Sequence, residues 1–375
     1  MGMERTMKNI NGLNLIKVAG AYIAFMIGSG FATGQEIMQF YTSFGKWSIL
    51  AVLVSMLLFA WSGSAFMANG FDVRDTTPSG GEYQRYCGKY LGKFYELFVT
   101  LLLFCVTIVM VSGSGATLNE YYGLPYTVGT ALMAILIYLA YIFGLKGLVN
   151  VIGCIGPVII IFTMLVGIVT LIRSGGNLAH IDEAMQNVQM TQSSSNWLLS
   201  GILYCCYNVS GSVIFLNALG QSATSHREAR LAGIVGAVLF MGGAFVMNLA
   251  FLANVGDVGA LSIPTLYLAN AISPVVGVIF SVVLVLGIFS TAAPMAWTVC
   301  DRFVQEGTLK SKIFAAVFMI IAFFGGQLPF GTLVGIIYPY TGYLGILLFI
   351  CLAVYQIKSR NGLKKTSDSK EAENE

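Results

Sequence analysis

Long apolar segments alternate with short polar ones along the whole chain. A helix needs about 20 apolar residues to cross about 30 Å of hydrocarbon, and ten segments of the sequence meet or approach that length. The pattern predicts ten membrane-spanning helices, at 13–44, 47–70, 94–118, 126–144, 148–172, 196–222, 231–254, 274–300, 311–326 and 331–356. The ninth segment is the shortest, and the first is too long for one straight span.

Two of these segments contain residues that disfavour a straight helix near their middles. They are Gly28-Ser29-Gly30 in the first span and the run from Asn208 to Ser212 in the sixth. Unpaired backbone in hydrocarbon costs several kcal/mol, so irregular backbone at membrane depth is tolerated only where it lines a cavity in the protein. We therefore predict that helices 1 and 6 are broken around a binding site. The alternative is that the glycines only allow close helix packing.

The ten spans divide into two sets of five. The predicted breaks lie near the starts of residues 13–173 and 196–356, and paired breaks in two halves are typical of secondary transporters with inverted repeats. An odd number of spans in each half predicts opposite orientations, a 5+5 inverted repeat. The other segments are predicted to be a cytoplasmic N-terminus, an extracellular linker and a disordered cytoplasmic tail, at 1–12, 174–195 and 357–375.

Composition and charge support a polytopic all-α membrane protein. Hydrophobic residues make up 57% of the chain and charged residues 10%, against about 25% charged in soluble domains. Lys and Arg are retained on the cytoplasmic side of membranes. With the N-terminus inside, only Lys46 and Arg173 of the 20 basic residues fall outside, so both termini are predicted to be cytoplasmic.

Several functional classes find no support in the sequence. The net charge of +3 gives no indication of nucleic-acid binding, and the seven cysteines form no C-x-x-C pair. No P-loop, nucleophile elbow or H-E-x-x-H motif occurs. We expect no enzymatic activity, no catalytic residues and no organic cofactor, with the lipid bilayer and a small-molecule substrate as partners. The oligomeric state is left open.

The segment IGSGFATGQEIMQFYTSFG at 27–45, together with the ten-span layout, resembles the YkvI-type bacterial membrane proteins. These belong to the wider LeuT-fold (APC) superfamily, which includes the neurotransmitter:sodium symporters. The resemblance extends to about residue 356. It implies the LeuT fold, a location in the bacterial plasma membrane and secondary active transport by alternating access.

The first predicted break suggests what could be bound. A helix that restarts near Phe31 would present free N–H groups, and a helix N-terminus favours an anion such as a carboxylate. An amino acid or a similar small amine or carboxylate is therefore the predicted substrate. The likeness to the symporters implies these substrate-binding residues: Met26, Gly28, Ser29, Gly30, Cys205, Cys206, Asn208, Gly211, Thr291 and Met295.

The resemblance also implies a sodium site. The segment LGIFSTAAPMAW at 286–297 is similar to the symporter segment that carries two adjacent hydroxyl residues. The implied Na⁺ ligands are three carbonyls and two hydroxyls, from Ala24, Ile27, Gly287, Ser290 and Thr291. A second sodium site would need an Asn where this chain has Phe25, so at most one is expected. Alternatively, the hydroxyls only bond back to their own helix.

Glu36 is an ionisable residue inside a predicted span, which is a functional hypothesis by default. It could gate the site or carry a proton. Equally, it could pair with Lys46 or lie in water near the outer surface.

Three functions follow from these expectations. The first is a sodium-coupled symporter, and the second is a proton-coupled transporter that uses Glu36. The third is a receptor of the same fold that binds a ligand without moving it, although the short loops favour transport. A divalent-metal transporter is disfavoured, because the first break lacks the Asp and Asn ligands of that family.

Overall fold

The computed structural model describes residues 10–74, 81–143, 149–186 and 188–372, apart from the side chains of 29, 149–154, 156–157 and 360–372. The first predicted span is three helices: α1 (Gly12–Met26), α2 (Ser29–Thr33) and α3 (Gln35–Phe40). A 3-10 turn, Thr42–Trp47, leads into the rest of the bundle.

Twelve further helices follow in chain order. They are α4 (Ser48–Val73), α5 (Glu82–Tyr122), α6 (Tyr126–Phe143), α7 (Val149–Ser174), α8 (Ile181–Gln186), α9 (Trp197–Gln221), α10 (His226–Leu252), α11 (Val255–Val258), α12 (Pro264–Ile272), α13 (Pro274–Phe303), α14 (Leu309–Gly325) and α15 (Phe330–Ala372). Helices α8, α11 and α12 are short and lie in the connections between predicted spans.

Eight helices in this described part of the chain are long and apolar enough to cross a membrane, and α1 is a shorter apolar helix. Helix α14, Leu309–Gly325, lies where the ninth span was predicted. The all-helical, multi-spanning fold class is confirmed. The number of ten spans and the division into 13–173 and 196–356 stay predictions.

Helix α9 lies at the centre of the bundle, between α4 and α15. Small residues allow this close packing. A Cβ built on Gly220 would lie 1.9 Å from the Met67 carbonyl oxygen of α4, and one built on Gly345 of α15 would lie 2.5 Å from the Cys206 carbonyl oxygen. Since the backbones approach so closely, α9 is held firmly between α4 and α15.

The prediction that the sixth span is broken is wrong. Helix α9 runs without interruption through 208–212. Asn208 Nδ2 donates to the Tyr204 carbonyl at 3.0 Å, and the Ser210 and Ser212 hydroxyls donate to carbonyls of the preceding turn. Because these polar side chains bond to their own helix, they do not unwind it.

The ends of two helices also differ from the predictions. Helix α5 begins at Glu82 rather than near 94, with a kink at Gly88, where φ is +76°. Helix α15 continues to Ala372 and includes most of the tail predicted to be disordered. Both extensions are rich in Lys and Glu, which are good helix formers, so a helix can continue beyond its apolar stretch.

Glu228, near the start of α10, anchors the first helix. Its side chain is fully buried and accepts hydrogen bonds from the Asn11 N–H at 2.9 Å, from Asn14 Nδ2 at 2.6 Å and from the Thr224 N–H at 3.0 Å. Asn11 itself caps α1 by accepting from the N–H groups of the first turn. The N-terminal end of α1 is therefore fixed to the connection between α9 and α10.

Candidate functional site

The first predicted span is broken where the glycines predicted it. After α1, the Gly28 N–H donates to the Met26 carbonyl at 3.0 Å, and Ile27 between them has φ −81° and ψ 85°. This is an inverse γ-turn. Gly28 is extended, and the helix restarts at Ser29. The predicted break in helix 1 is confirmed.

The break leaves two backbone carbonyls without their helical partners. The Ile27 N–H donates to Ile23, and the Ala32 N–H donates to Gly28. Within the described residues, no backbone N–H donates to the carbonyls of Ala24 or Ile27. These are the two carbonyls that the resemblance implied as sodium ligands.

A second irregularity lies six residues after Gly28, at Gly34. This residue has φ +85° and separates α2 from α3. A Cβ at Gly34 would lie 2.4 Å from the ring of Phe251 and 2.6 Å from Thr265 Oγ1. Both the backbone conformation and the lack of space require glycine here. The sequence analysis missed this turn, although a glycine within an apolar helical stretch is a signal for one.

The turn at Gly34 places Glu36 against the break. In a straight helix of 3.6 residues per turn, Glu36 and Gly30 would be on different faces, roughly 240° apart. In the structure, a Cβ built on Gly30 would lie only 1.7 Å from Glu36 Oε1. The Glu36 carboxylate therefore folds back over Gly30 and occupies the space beside the break.

Glu36 is buried, with 7% of its surface exposed. The Tyr207 hydroxyl of α9 donates a hydrogen bond to Glu36 Oε2. Lys46, the partner considered from the sequence, instead pairs with Asp182 at 2.5 Å, and both side chains are exposed. Among the residues that the structure describes, no cation pairs with Glu36. Pairing with Lys46 and a position in water near the outer surface are both wrong.

Aromatic rings surround this carboxylate. The Tyr207 ring stacks on Tyr338 of α15 with 4.7 Å between centroids, and it also contacts Tyr204 and Phe40. The Tyr204 hydroxyl is buried as well, and it has no hydrogen-bond partner among the residues that the structure describes. A buried carboxylate without a paired cation is costly, so a bound cation or proton would offset that cost. The sequence analysis missed all three tyrosines, although Tyr204 and Tyr207 stand just before the Asn208 run.

The outer part of the first span is held by two buried glutamines. Gln39 Nε2 donates to the Gly331 carbonyl at the start of α15, at 2.7 Å. With its amide oriented to satisfy both ends, Gln35 accepts from Gln39 at 2.8 Å and donates to the carbonyls of Leu261 and Ser262. Helix α3 is therefore tied to α15 and to the loop before α12.

The predicted substrate residues of α9 divide between two faces. The Cys206 carbonyl lies against Gly345 of α15, and both Cys205 and Cys206 are buried in the helix packing. The face towards the first span carries Tyr207 and Phe215, and the Phe215 ring stacks on Phe25 of α1 at 4.0 Å.

Asn208 and Gly211 belong to this second face. Gly211 is four residues from both Tyr207 and Phe215, which places the three on one side of the helix. Asn208 and Gly211 are both partly exposed, and a Cβ at Gly211 would meet only Leu102, at 3.8 Å. Of the predicted residues of α9, these two therefore share a face with Tyr207 and Phe215, whose side chains contact the first predicted span.

Of the predicted residues of α13, Gly287 is buried, and Ser290, Thr291 and Met295 are half-buried. The Ser290 and Thr291 hydroxyls donate to the Gly287 carbonyl at 2.8 and 3.1 Å, which is the back-bonding alternative. Met295 is half-buried and Met26 is buried. The described residues contain no group of three or more His, Cys, Asp or Glu that could hold a metal ion.

Sequence comparison finds two relatives along nearly the whole chain, and no protein-family model matches it. "Uncharacterized protein YyaD" of Bacillus subtilis (strain 168) is 25% identical over 337 residues, 89% of this chain and 95% of that protein. "Uncharacterized membrane protein YkvI" of the same organism is 26% identical over 351 residues, 92% of this chain and 97% of that protein. The predicted resemblance to the YkvI-type membrane proteins is confirmed.

Solved structures decide the fold. MhsT in complex with L-phenylalanine matches with a TM-score of 0.58 and 16% identity, over 90% of this chain and 88% of that one. Mhp1 in its inward-facing conformation matches with a TM-score of 0.56 and 15% identity, over 91% and 76%. This chain has the LeuT fold.

A third solved structure has the same fold. It is the Eremococcus coleocola manganese transporter in complex with an aromatic bis-isothiourea compound, with a TM-score of 0.55 and 15% identity over 92% of this chain and 81% of that one. The first neighbour was solved with L-phenylalanine bound, and this one is a manganese transporter. Because identity is this low, the likeness establishes the LeuT fold, and the cargo must be argued from the site.

Proposed function

We propose that this protein is a secondary active transporter for an amino acid or a similar small amine or carboxylate. The observation that carries the proposal is the break at Ile27–Gly28, where free carbonyls, glycine backbone and the buried Glu36 carboxylate meet. Irregular backbone at this depth is tolerated where it lines a binding cavity. The partly exposed Asn208 and Gly211 share a face of α9 with Tyr207, which supports a site for a small polar molecule here.

Sodium is the coupling ion we propose first. Na⁺ is a small, hard cation, and the ligands implied for it are all oxygens, from Ala24, Ile27, Gly287, Ser290 and Thr291. Two observations support the ligands other than Gly287, whose carbonyl already accepts from both hydroxyls. Among the described residues, the carbonyls of Ala24 and Ile27 accept no backbone N–H, and a hydroxyl that donates a hydrogen bond to Gly287 keeps lone pairs that can face a cation.

A proton is the second candidate, and Glu36 favours it. The substrate carboxylate was predicted to bind at Gly30, where the Glu36 carboxylate already lies. Two carboxylates in one site repel unless one takes up a proton. Binding of an anionic group and protonation of Glu36 would therefore favour each other, and such a coupling free energy is what links a substrate to its driving ion.

The test is uptake by proteoliposomes that contain the purified full-length protein. Labelled amino acids are supplied with an inward sodium gradient, an inward proton gradient, both or neither. We expect accumulation above equilibrium with at least one gradient and none without. Saturable binding with no uptake under any gradient would contradict transport and indicate a receptor of the same fold.

A further inference from the structure

A cavity of about 780 Å³ lies between α4, α10 and α15, away from the broken helix. The cavity lies at the end of these helices that is predicted, from the basic residues, to be cytoplasmic. None of its lining residues belongs to the candidate transport site. Its volume is within the range of about 300 to 1,000 Å³ that is typical of small-molecule sites.

One end of the cavity is polar and rich in hydrogen-bond donors. His226 Nδ1 and Asp72 Oδ1 are 2.8 Å apart, so this acidic side chain already has a partner. Arg230 follows His226 by one helical turn and lines the same wall. Within the described residues Arg230 has no ion-pair partner.

The other end of the cavity is apolar. Its walls include Ala60, Ala65 and Ala68 of α4, with the Trp61 indole N–H donating to Gln356 of α15 at 3.0 Å. Small alanine side chains leave an open channel along α4 rather than filling the space between the helices.

The mouth of the cavity faces the bilayer. Ile234 and Ile357 line it and are 39% and 59% exposed. One turn before Trp61, Leu57 is 72% exposed. Large apolar side chains exposed on membrane-spanning helices contact lipid, so a molecule can enter this cavity sideways from the membrane.

We propose that this cavity binds one anionic phospholipid of the cytoplasmic leaflet. The phosphate accepts hydrogen bonds from Arg230, and an acyl chain follows the alanines of α4 towards Trp61. Basic pockets between membrane helices on the cytoplasmic side are suited to anionic head groups. Lys358, which stands between the lining residues Ile357 and Ser359, adds a second positive charge near the mouth.

The charge at the polar end selects among lipids. The unpaired Arg230 attracts a net negative head group, whereas a zwitterionic one carries a compensating positive charge beside its phosphate. The apolar walls bind the chains of both lipids alike. A preference for the anionic lipid should therefore depend on Arg230, and chain binding should depend on the space along α4.

The experiment measures thermal unfolding of the purified full-length protein in detergent with three additions. These are phosphatidylglycerol, phosphatidylcholine with the same acyl chains, and inorganic phosphate. Ligands that bind the native state raise stability with their concentration. We expect phosphatidylglycerol to raise the midpoint most and inorganic phosphate to leave it unchanged.

Variants of the lining residues test whether the lipid binds in this cavity. Arg230→Gln should weaken the apparent affinity for phosphatidylglycerol about five-fold. The matched control is Arg227→Gln, which removes the same charge from an exposed position outside the cavity and should leave the affinity unchanged. Ala68→Leu adds atoms to the channel without changing charge and should weaken binding of both lipids.

Three results would overturn the proposal. One is an equal response to both lipids, another is an equal effect of the two arginine variants, and the third is a shift produced by inorganic phosphate alone. If Arg230→Gln is too unstable to purify, Ala68→Leu tests the proposal instead. Unchanged lipid binding by Ala68→Leu would show that the lipid binds elsewhere.

Discussion

The carboxylate of Glu36 lies directly on Gly30, close enough that a Cβ at Gly30 would lie 1.7 Å from Oε1. The two residues belong to different short helices, and the left-handed turn at Gly34 brings them together. A backbone break and a buried ionisable side chain thus form a single site. A change at either residue should affect the other.

Gly30→Ala should displace the Glu36 carboxylate and abolish transport without unfolding the protein. The clashing atoms are the end of a flexible side chain, which can move at modest cost. Uptake and thermal unfolding should be measured on the same preparation. The control is Gly20→Ala in α1, where no atom lies within 4 Å of the new Cβ. Full transport by Gly30→Ala would show that the position of Glu36 beside Gly30 is not needed for transport.

Glu36→Gln tests whether Glu36 carries the coupling proton. Glutamine keeps the shape and can still accept from Tyr207, but it carries no titratable group. Uptake driven by a pH gradient should be lost in this variant if Glu36 is the proton carrier. Glu183→Gln, at an exposed position, is the control for loss of one acidic group. Retained proton-driven uptake in Glu36→Gln would show that Glu36 is not the proton carrier.

Tyr207→Phe tests whether the hydrogen bond to Glu36 matters for transport. The variant keeps the ring stack on Tyr338 and removes only the hydroxyl that donates to Glu36. A hydrogen bond to a charged group contributes about 1.5 to 3 kcal/mol. Uptake should therefore persist with a changed pH dependence. If its pH profile matches that of the wild type, the hydrogen bond has no role in transport.

The break in the first span and the continuity of α9 show how much of the helix geometry can be predicted from sequence. Gly28 and Gly30 predicted the first break because glycine tolerates irregular backbone. Asn208 and Ser210 gave a similar signal in the sixth span, yet their side chains bond to the preceding turn. Sequence alone does not distinguish a polar residue that unwinds a helix from one that its own helix satisfies.

The contact between Glu36 and Gly30 was beyond prediction for another reason. Glu36 was singled out because ionisable residues in spans are rare. Its position, however, depends on the turn at Gly34, whose conformation is fixed by Phe251 and Thr265 from distant parts of the chain. The residue could be predicted from sequence, but its neighbours, among them Tyr207 and Tyr338, depend on tertiary packing.

Thr291→Ala tests the sodium site. Loss of one of about five oxygen ligands should raise the sodium concentration needed for thermal stabilisation about ten-fold, which corresponds to about 1.4 kcal/mol. Thr298→Ala is the matched control, because Thr298 makes the same back-bond, to Pro294 at 2.8 Å, and is not an implied ligand. Equal sodium responses of the two variants, or no response of the wild type, would contradict the site.

Cysteine labelling tests the predicted orientation in the membrane. In a chain freed of its own reactive cysteines, Asp257→Cys should react with an impermeant reagent added outside intact cells, and Lys310→Cys should not. Both positions are exposed in the structure, so accessibility of the side chain does not limit the reaction. Labelling of Lys310→Cys from outside would reverse the orientation inferred from the basic residues.

Glu228→Ala should release the N-terminal end of α1. The buried carboxylate accepts from Asn11, Asn14 and Thr224, and a buried donor that loses its acceptor costs about 1 to 3 kcal/mol. Hydrogen exchange should accelerate in the first turns of α1 and in the connection before α10. The residues beyond the break, with Glu36 on Gly30, should stay protected, because α3 is held by α9 and α15. Glu306→Ala, at an exposed position, controls for the lost charge, and a variant with wild-type exchange in α1 would show that this anchor does not hold the helix.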